Sequence, residues 1–328
     1  MIRVIRVSGG ARAVEQTGPE ALSNCDGAEF CWIDLQDFDD GELHLLQQRF
    51  ALHQLAIEDC TSTRPRPKLG AYDNHLFMML TSMTVPAATR NPRFDELGMF
   101  LGERFVLTVH RKPLAAVDSI WKRALDDPHL IARGADYVCY TMIDLLMEET
   151  FPVLEHLAEQ LLQVERTIVT HPDGTELARM LTLKRGLVSV RRVVAAERDM
   201  IATLVRWDTP LIREKNAIYY RDCYDHLVRA YEDINLERDL LGNAMDAYLS
   251  TVSNRLGTIM KQLTILSAIF LPPTFITSFF GQNFTALPFD SHTLFAVEVV
   301  TCLSLPAIML YWFYRSGWMR SAGSKTFK

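Results

Sequence analysis

The chain has 328 residues, 48% hydrophobic and 23% charged, with a formal net charge of −6. Those averages describe an ordinary folded protein, and the acidic balance argues against a nucleic-acid partner. Its 6 cysteines include no CxxC pair, which disfavours a zinc knuckle and predicts buried or free thiols in a reducing compartment.

No apolar run with a basic flank follows Met1, so no cleaved signal peptide is expected. Residues 1–136 predict one α/β domain. The stretches 2–7 and 29–35 are β-rich, and Asp39-Asp40 can cap a helix that runs to Phe50. An apolar run covers 76–85; then 97–101 and 104–110 flank Gly102-Glu103, a two-residue hairpin turn. Lys112-Pro113 opens a further helix. His53, Glu58 and Asp59 match no zinc-ligand spacing and read as a helix or loop cap.

Residues 137–209 predict a helical hairpin, two long arms split by the turn signal His171-Pro172-Asp173-Gly174-Thr175. From Pro210 no residue breaks the helical pattern until Pro272. Apolar residues recur at Leu227, Tyr231, Ile234, Leu241, Met245, Tyr248, Val252, Leu256, Ile259 and Leu263. A stripe of that length predicts a stalk helix over 210–262 that self-associates around an axis. Its distal part is acidic, with Glu214, Asp222, Asp225, Glu232, Asp233, Glu237, Asp239 and Asp246.

Residues 263–280 carry no charge and would form a helix roughly 27 Å long, about one hydrocarbon thickness. They predict a first transmembrane helix, followed by a loop over 281–292 and a second span over 293–314. The tail 315–328 carries Arg315, Arg320, Lys325 and Lys328 and no acid, whereas the loop has Asp290 and no Lys or Arg. The positive-inside rule therefore places both termini in the cytoplasm and the loop outside. The fold class is an α+β membrane protein, multi-pass in the cell (inner) membrane, with the lipid bilayer as one partner. Such an arrangement is unlike most enzymes. Glu298 interrupts the second span and reads either as a proton-linked site or as a protonated, hydrogen-bonded group.

Met260, Leu263, Ser267, Leu271, Thr274 and Ser278 follow one another at helical steps and share one line on the first span. Helix packing is one reading, because small and hydroxyl residues favour membrane helix contacts. A pore lining is the other, with hydroxyls touching hydrated ions and the bulky groups forming constrictions. Pro272-Pro273 predicts a kink. Gly281-Gln282-Asn283 ends the span; Gly281 can stop the helix with positive φ, and a ring of Asn283 amide oxygens would accept from the waters around a cation. Magnesium sheds its waters reluctantly, so recognition through the hydration shell suits such a ring.

Phe280-Gly281-Gln282-Asn283-Phe284, preceded by Phe270-Leu271-Pro272-Pro273-Thr274-Phe275, resembles the two-transmembrane GxN family of CorA-type magnesium channels. The likeness extends to Trp32-Ile33-Asp34-Leu35, Leu52-His53-Gln54-Leu55-Ala56-Ile57-Glu58-Asp59, Arg66-Pro67-Lys68, Arg221-Asp222-Cys223-Tyr224-Asp225-His226 and Tyr248-Leu249-Ser250. The resemblance implies a funnel-shaped homopentamer, with a filter at Gly281, Gln282 and Asn283 and the line from Met260 to Ser278 facing the pore. It also implies magnesium as both cargo and regulator, with cobalt and nickel as further cargo, and no organic cofactor. Asp222 would be a regulatory ligand. Three positions depart from the family pattern: Gln282 where many members have Met, Gly257 where members carry Asn, and no evident acidic partner after Thr84, with Asp95 and Glu96 the nearest candidates. The alternatives are a zinc transporter of the ZntB type and a membrane-anchored structural or sensory protein without flux.

Overall fold

Short apolar runs separated by turn residues build a seven-stranded sheet in the N-terminal part of the chain. The structure, a computed structural model, describes residues 1–7, 13–25, 27–62, 66–86, 89, 91–170, 174–207, 209–282 and 291–318. The chain divides into two compact units, Met1–Met245 and Asp246–Lys328.

In the first unit the strands are β1 (Ile2–Val7), β2 (Val14–Thr17), β3 (Phe30–Gln36), β4 (Lys68–Ala71), β5 (His75–Thr84), β6 (Arg93–Gly102) and β7 (Phe105–His110). Their spatial order is β2-β1-β3-β7-β6-β5-β4, with β3 and β7 parallel from Cys31↔Phe105 to Gln36↔His110. β3, β5 and β7 are buried along nearly their whole length, which is why they read as apolar runs rather than alternations. One core joins Leu43 and Leu46 of α1 (Asp40–Phe50) and Ala56 and Ile57 of α2 (Gln54–Thr61) to Ile33, Leu35, Phe77, Phe100 and Leu107 of the strands. Helices α3 (Ala115–Asp126), α4 (Pro128–Ala132) and α5 (Ala135–Glu148) follow β7; Trp121 of α3 meets Trp32 edge-on, with ring centroids 4.8 Å apart.

Local signals explain the helix starts. Asp39 accepts from the Glu42 N–H at 2.7 Å, and Glu42 reaches back to the Asp39 N–H at 3.4 Å, a reciprocal cap. His53 is the cap expected: its Nδ1 accepts from the Leu55 N–H at 3.2 Å. Lys68 pairs with Asp59, tying together two of the segments that carried the family resemblance. The hairpin turn is centred on Glu103-Arg104, one residue later than read from sequence, because Leu101 pairs with Val106.

The buried Asp34 accounts for the polar residue inside an apolar strand. Arg3 Nε donates to it at 2.8 Å, Thr108 Oγ1 at 2.5 Å, and His110 Nε2 lies 3.1 Å away. Burial works against its charge, yet the contacts from His110, Thr108 and Arg3 outweigh that and hold the carboxyl below its ordinary range.

Three sequence expectations need correction. Cys25 and Cys31 are disulfide-bonded rather than free, because the 3₁₀ turn Pro19–Cys25 returns Cys25 to the start of β3, with the Cα atoms 5.9 Å apart. Cys60, Cys139, Cys223 and Cys302 are free thiols. The first arm of the predicted hairpin divides at Glu149 into α5 and α6 (Thr150–Thr170), and α6 pairs with α7 (Gly174–Arg206). Leu157 of α6 packs beside Gly186 of α7. β4 pairs only with residues 76–79 of β5, and two carboxylates serve the open edge beyond. Glu149 accepts from Ser82 Oγ at 2.6 Å, and Glu197 of α7 accepts from the Thr81 N–H at 3.0 Å.

The third correction concerns α8 (Glu214–Phe280), which begins four residues after Pro210. Leu227, Ile234 and Leu241 of its apolar stripe are buried within the single chain, together with Ala230 and Ala244. Arg191 of α7 donates to Tyr231 Oη at 2.7 Å and to Asn235 Oδ1 at 3.1 Å. This part of the stripe is therefore occupied by packing inside one chain. Further along, Leu256, Ile259 and Leu263 are exposed and remain available for association.

The second unit holds the end of α8 and α9 (His292–Arg315). Both helices are long and apolar enough to cross a membrane.

Candidate ion pathway and regulatory acid

The end of α8 is uncharged after Lys261 because nothing in 262–280 can ionise. Met260, Leu263, Ser267, Leu271, Thr274 and Ser278 are all exposed in the single chain, Leu271 at 72%. The helix continues through Pro272 and Pro273. Each proline lacks an N–H, so the carbonyls of Ala268 and Ile269 lose their helical donors. Thr274 Oγ1 donates back to the Phe270 carbonyl at 2.7 Å, and Thr277 Oγ1 lies 3.1 Å from the carbonyls of both Pro273 and Thr274. These hydroxyls spend their hydrogens on the backbone and keep oxygen lone pairs outward. Waters around a cation donate hydrogens and need acceptors. A helix face that offers lone pairs and uncommitted carbonyls, with no charge, suits a hydrated cation better than a bare one.

At the helix end the Gly281 N–H bonds the Thr277 carbonyl at 2.9 Å and the Gln282 N–H bonds Phe279 at 3.3 Å, a tightened last turn. Gly281 is not among the described residues with positive φ, contrary to the sequence expectation. A Cβ there would lie 3.1 Å from the Thr277 carbonyl oxygen, a tight contact. Asn283 lies outside the described residues, as does most of the loop after it.

Asp222 sits on α8 in the first unit, its side chain 60% exposed and its Oδ2 3.8 Å from His226 Nε2. Beside it is an acid that sequence reading missed, Asp144 of α5. Tyr140 Oη donates to Asp144 at 3.2 Å, and Cys223 Sγ lies 3.9 Å from its other oxygen. Burial raises the Asp144 pKa; Tyr140 and His226 oppose the rise, and the charge of Asp222 adds to it. The candidates after Thr84 do not join this group. Asp95 is taken up on the sheet by Arg93 and Lys112, both at 2.8 Å. Only the tertiary pairing of α5 with α8 brings the two acids together, and no spacing in the sequence signals it. Among the described residues, no three His, Cys, Asp or Glu side chains of one chain converge as a metal cage.

The family model described as CorA-like Mg2+ transporter protein matches residues 27–315. The protein YfjQ of Bacillus subtilis is 30% identical over 289 residues, covering 88% of this chain and 89% of its own length. The cobalt/magnesium transport protein CorA of Thermotoga maritima is 29% identical over 273 residues, covering 82% of this chain and 78% of its own. The zinc transport protein ZntB of Yersinia enterocolitica is more distant, at 18% over 311 residues and 94% of both chains. The complete structure of the CorA magnesium transporter from Methanocaldococcus jannaschii superposes with a TM-score of 0.83 at 21% identity, covering 97% of this chain and 99% of that one.

Proposed function

This chain belongs to the CorA-like Mg2+ transporter family, a family of transporters and not of enzymes, and we propose that it is a channel admitting hydrated magnesium through the cell membrane. Cobalt and nickel are further cargo of the same path. The observation that carries this reading is the exposed, uncharged line from Met260 to Ser278, on which Thr274 spends its hydrogen on the Phe270 carbonyl and keeps its lone pairs for donors outside the helix. Five copies around an axis would turn that line inward and close a ring of Asn283 amides at the outer mouth, with Gly281 and Gln282 beside it. Both termini are cytoplasmic in this arrangement.

Regulation follows the same logic. Burial raises the cost of ionising Asp144, and the charge of Asp222 beside it adds to that cost. Internal magnesium placed between them and a neighbouring copy would relieve that cost, and so favour the arrangement that brings the copies together. Magnesium is thus cargo and regulator, with no organic cofactor. Zinc as cargo weighs less, because the ZntB relative is 18% identical against 30% and 29% for the other two.

The test is Asn283→Ala at matched expression. It should abolish selective divalent uptake and leave assembly intact. Magnesium uptake equal to wild type in that variant would remove Asn283 from the filter.

A further inference from the structure

A buried carboxylate with no part in the ion pathway lies in the first turn of α5. Asp136 is 2% exposed and accepts from the Arg213 N–H at 3.0 Å, from Arg213 Nε at 2.9 Å and from Asn216 Nδ2 at 2.8 Å. Its backbone carbonyl accepts from Tyr220 Oη at 2.6 Å. Asn216 and Tyr220 are each 1% exposed. All these donors come from one short stretch, the entry and first two turns of α8, at spacings that share a helix face.

The surroundings are shaped for the same contact. Gly134 has φ +97°, a backbone conformation that favours glycine, and the Arg213 guanidinium packs against it. Arg213 also donates to the Arg133 carbonyl. Outside this knot the Arg133 guanidinium lies 3.4 Å from the centroid of the Tyr137 ring and donates to Tyr219 Oη at 2.7 Å. Tyr219 in turn packs on Tyr137 and Tyr140, at 5.6 and 4.9 Å between centroids. Buried ion pairs contribute little net stability compared with apolar packing, but breaking one is costly. What such a knot fixes is direction. From it, one helix runs without a break to Phe280.

We propose that Asp136 is a positioning residue that sets how α8 leaves the α/β layers, and thereby the internal magnesium concentration at which transport stops. This rests on the channel reading above. Asp136 touches neither the ion path nor Asp222; it acts by holding Arg213, Asn216 and Tyr220 in register.

The experiment uses the full chain in liposomes, with magnesium influx measured against magnesium inside. Asn216→Ala and Tyr220→Phe remove single contacts to Asp136 and leave its charge paired with Arg213. Leu46→Ala, in the core under α1, serves as a control for lost stability. Amide hydrogen exchange is followed on all four proteins. The inference predicts that both knot variants shift half-inhibition about fivefold or more, with maximal influx kept and faster exchange confined to the first turns of α8. Leu46→Ala, at an equal loss of Tm, should leave the inhibition curve in place. An unchanged curve in the knot variants, a shift in Leu46→Ala equal to theirs, or a wild type that internal magnesium does not inhibit would each overturn the inference. A wild type that carries no magnesium at all defeats the channel reading instead. Exchange then decides the positioning role: faster exchange at the root of α8 supports it, and unchanged exchange overturns it.

Discussion

Glu197 shows how far one side chain can depart from its solution behaviour. It is 3% exposed, and burial pushes its carboxyl up to about 8, opposed by the Thr81 N–H. An unfolded chain loses that proton near the ordinary value of 4.5, whereas the folded chain keeps it to about 8. Stability from this group is therefore complete below about 4.5, falls as pH rises through that window, and levels off above 8. Glu197→Gln keeps a carbonyl for Thr81 and has no proton to lose. It should raise Tm by several degrees at pH 9 and flatten the decline between pH 5 and 8, read by thermal unfolding of the Met1–Met245 unit. A variant with the wild-type slope would mean that Glu197 is not the buried acid responsible. Other residues differ in how plainly the sequence displays them. The His53 cap could be read from its place before a helix. Asp144 could not, since its relation to Asp222 exists only once α5 and α8 pack. The disulfide of Cys25 and Cys31 depends on a 3₁₀ turn that no periodicity marks.

At the scale of elements, helical periodicity gave α8 its continuity and its apolar stripe, but periodicity does not say what covers a stripe. The Leu227, Ile234 and Leu241 part is covered within the chain, and Leu256, Ile259 and Leu263 beyond Tyr248 are exposed in the single chain. Glu149, where α5 gives way to α6, bonds Ser82 of β5, a partner far away in sequence that no local pattern marks. The acidic outer surface of α8 belongs to this scale too. Asp222→Ala removes one acid of the pair with Asp144, so it should weaken inhibition of influx by internal magnesium, about fivefold or more. It should also loosen magnesium-dependent protease protection of the Met1–Met245 unit. Identical inhibition curves and identical protection in variant and wild type would show that Asp222 senses nothing.

For the whole molecule, the α/β layers, the long helix and the two apolar helices agree with a shared family fold, and the strand runs and uncharged segments made that much legible from sequence. The number of copies is a separate matter. Leu256, Ile259 and Leu263 are exposed in the single chain, and five copies are the proposed arrangement. Native mass spectrometry in mild detergent should give a pentamer, and a stable monomer or dimer would contradict it. The central claim is that this assembly conducts divalent cations. Its most direct test is flux through the purified protein in liposomes, with magnesium, cobalt, nickel and zinc supplied in turn and the proton gradient held at zero. Magnesium influx should stand well above that of empty liposomes without any proton gradient. Divalent flux no greater than in empty liposomes, from correctly assembled protein, would contradict it.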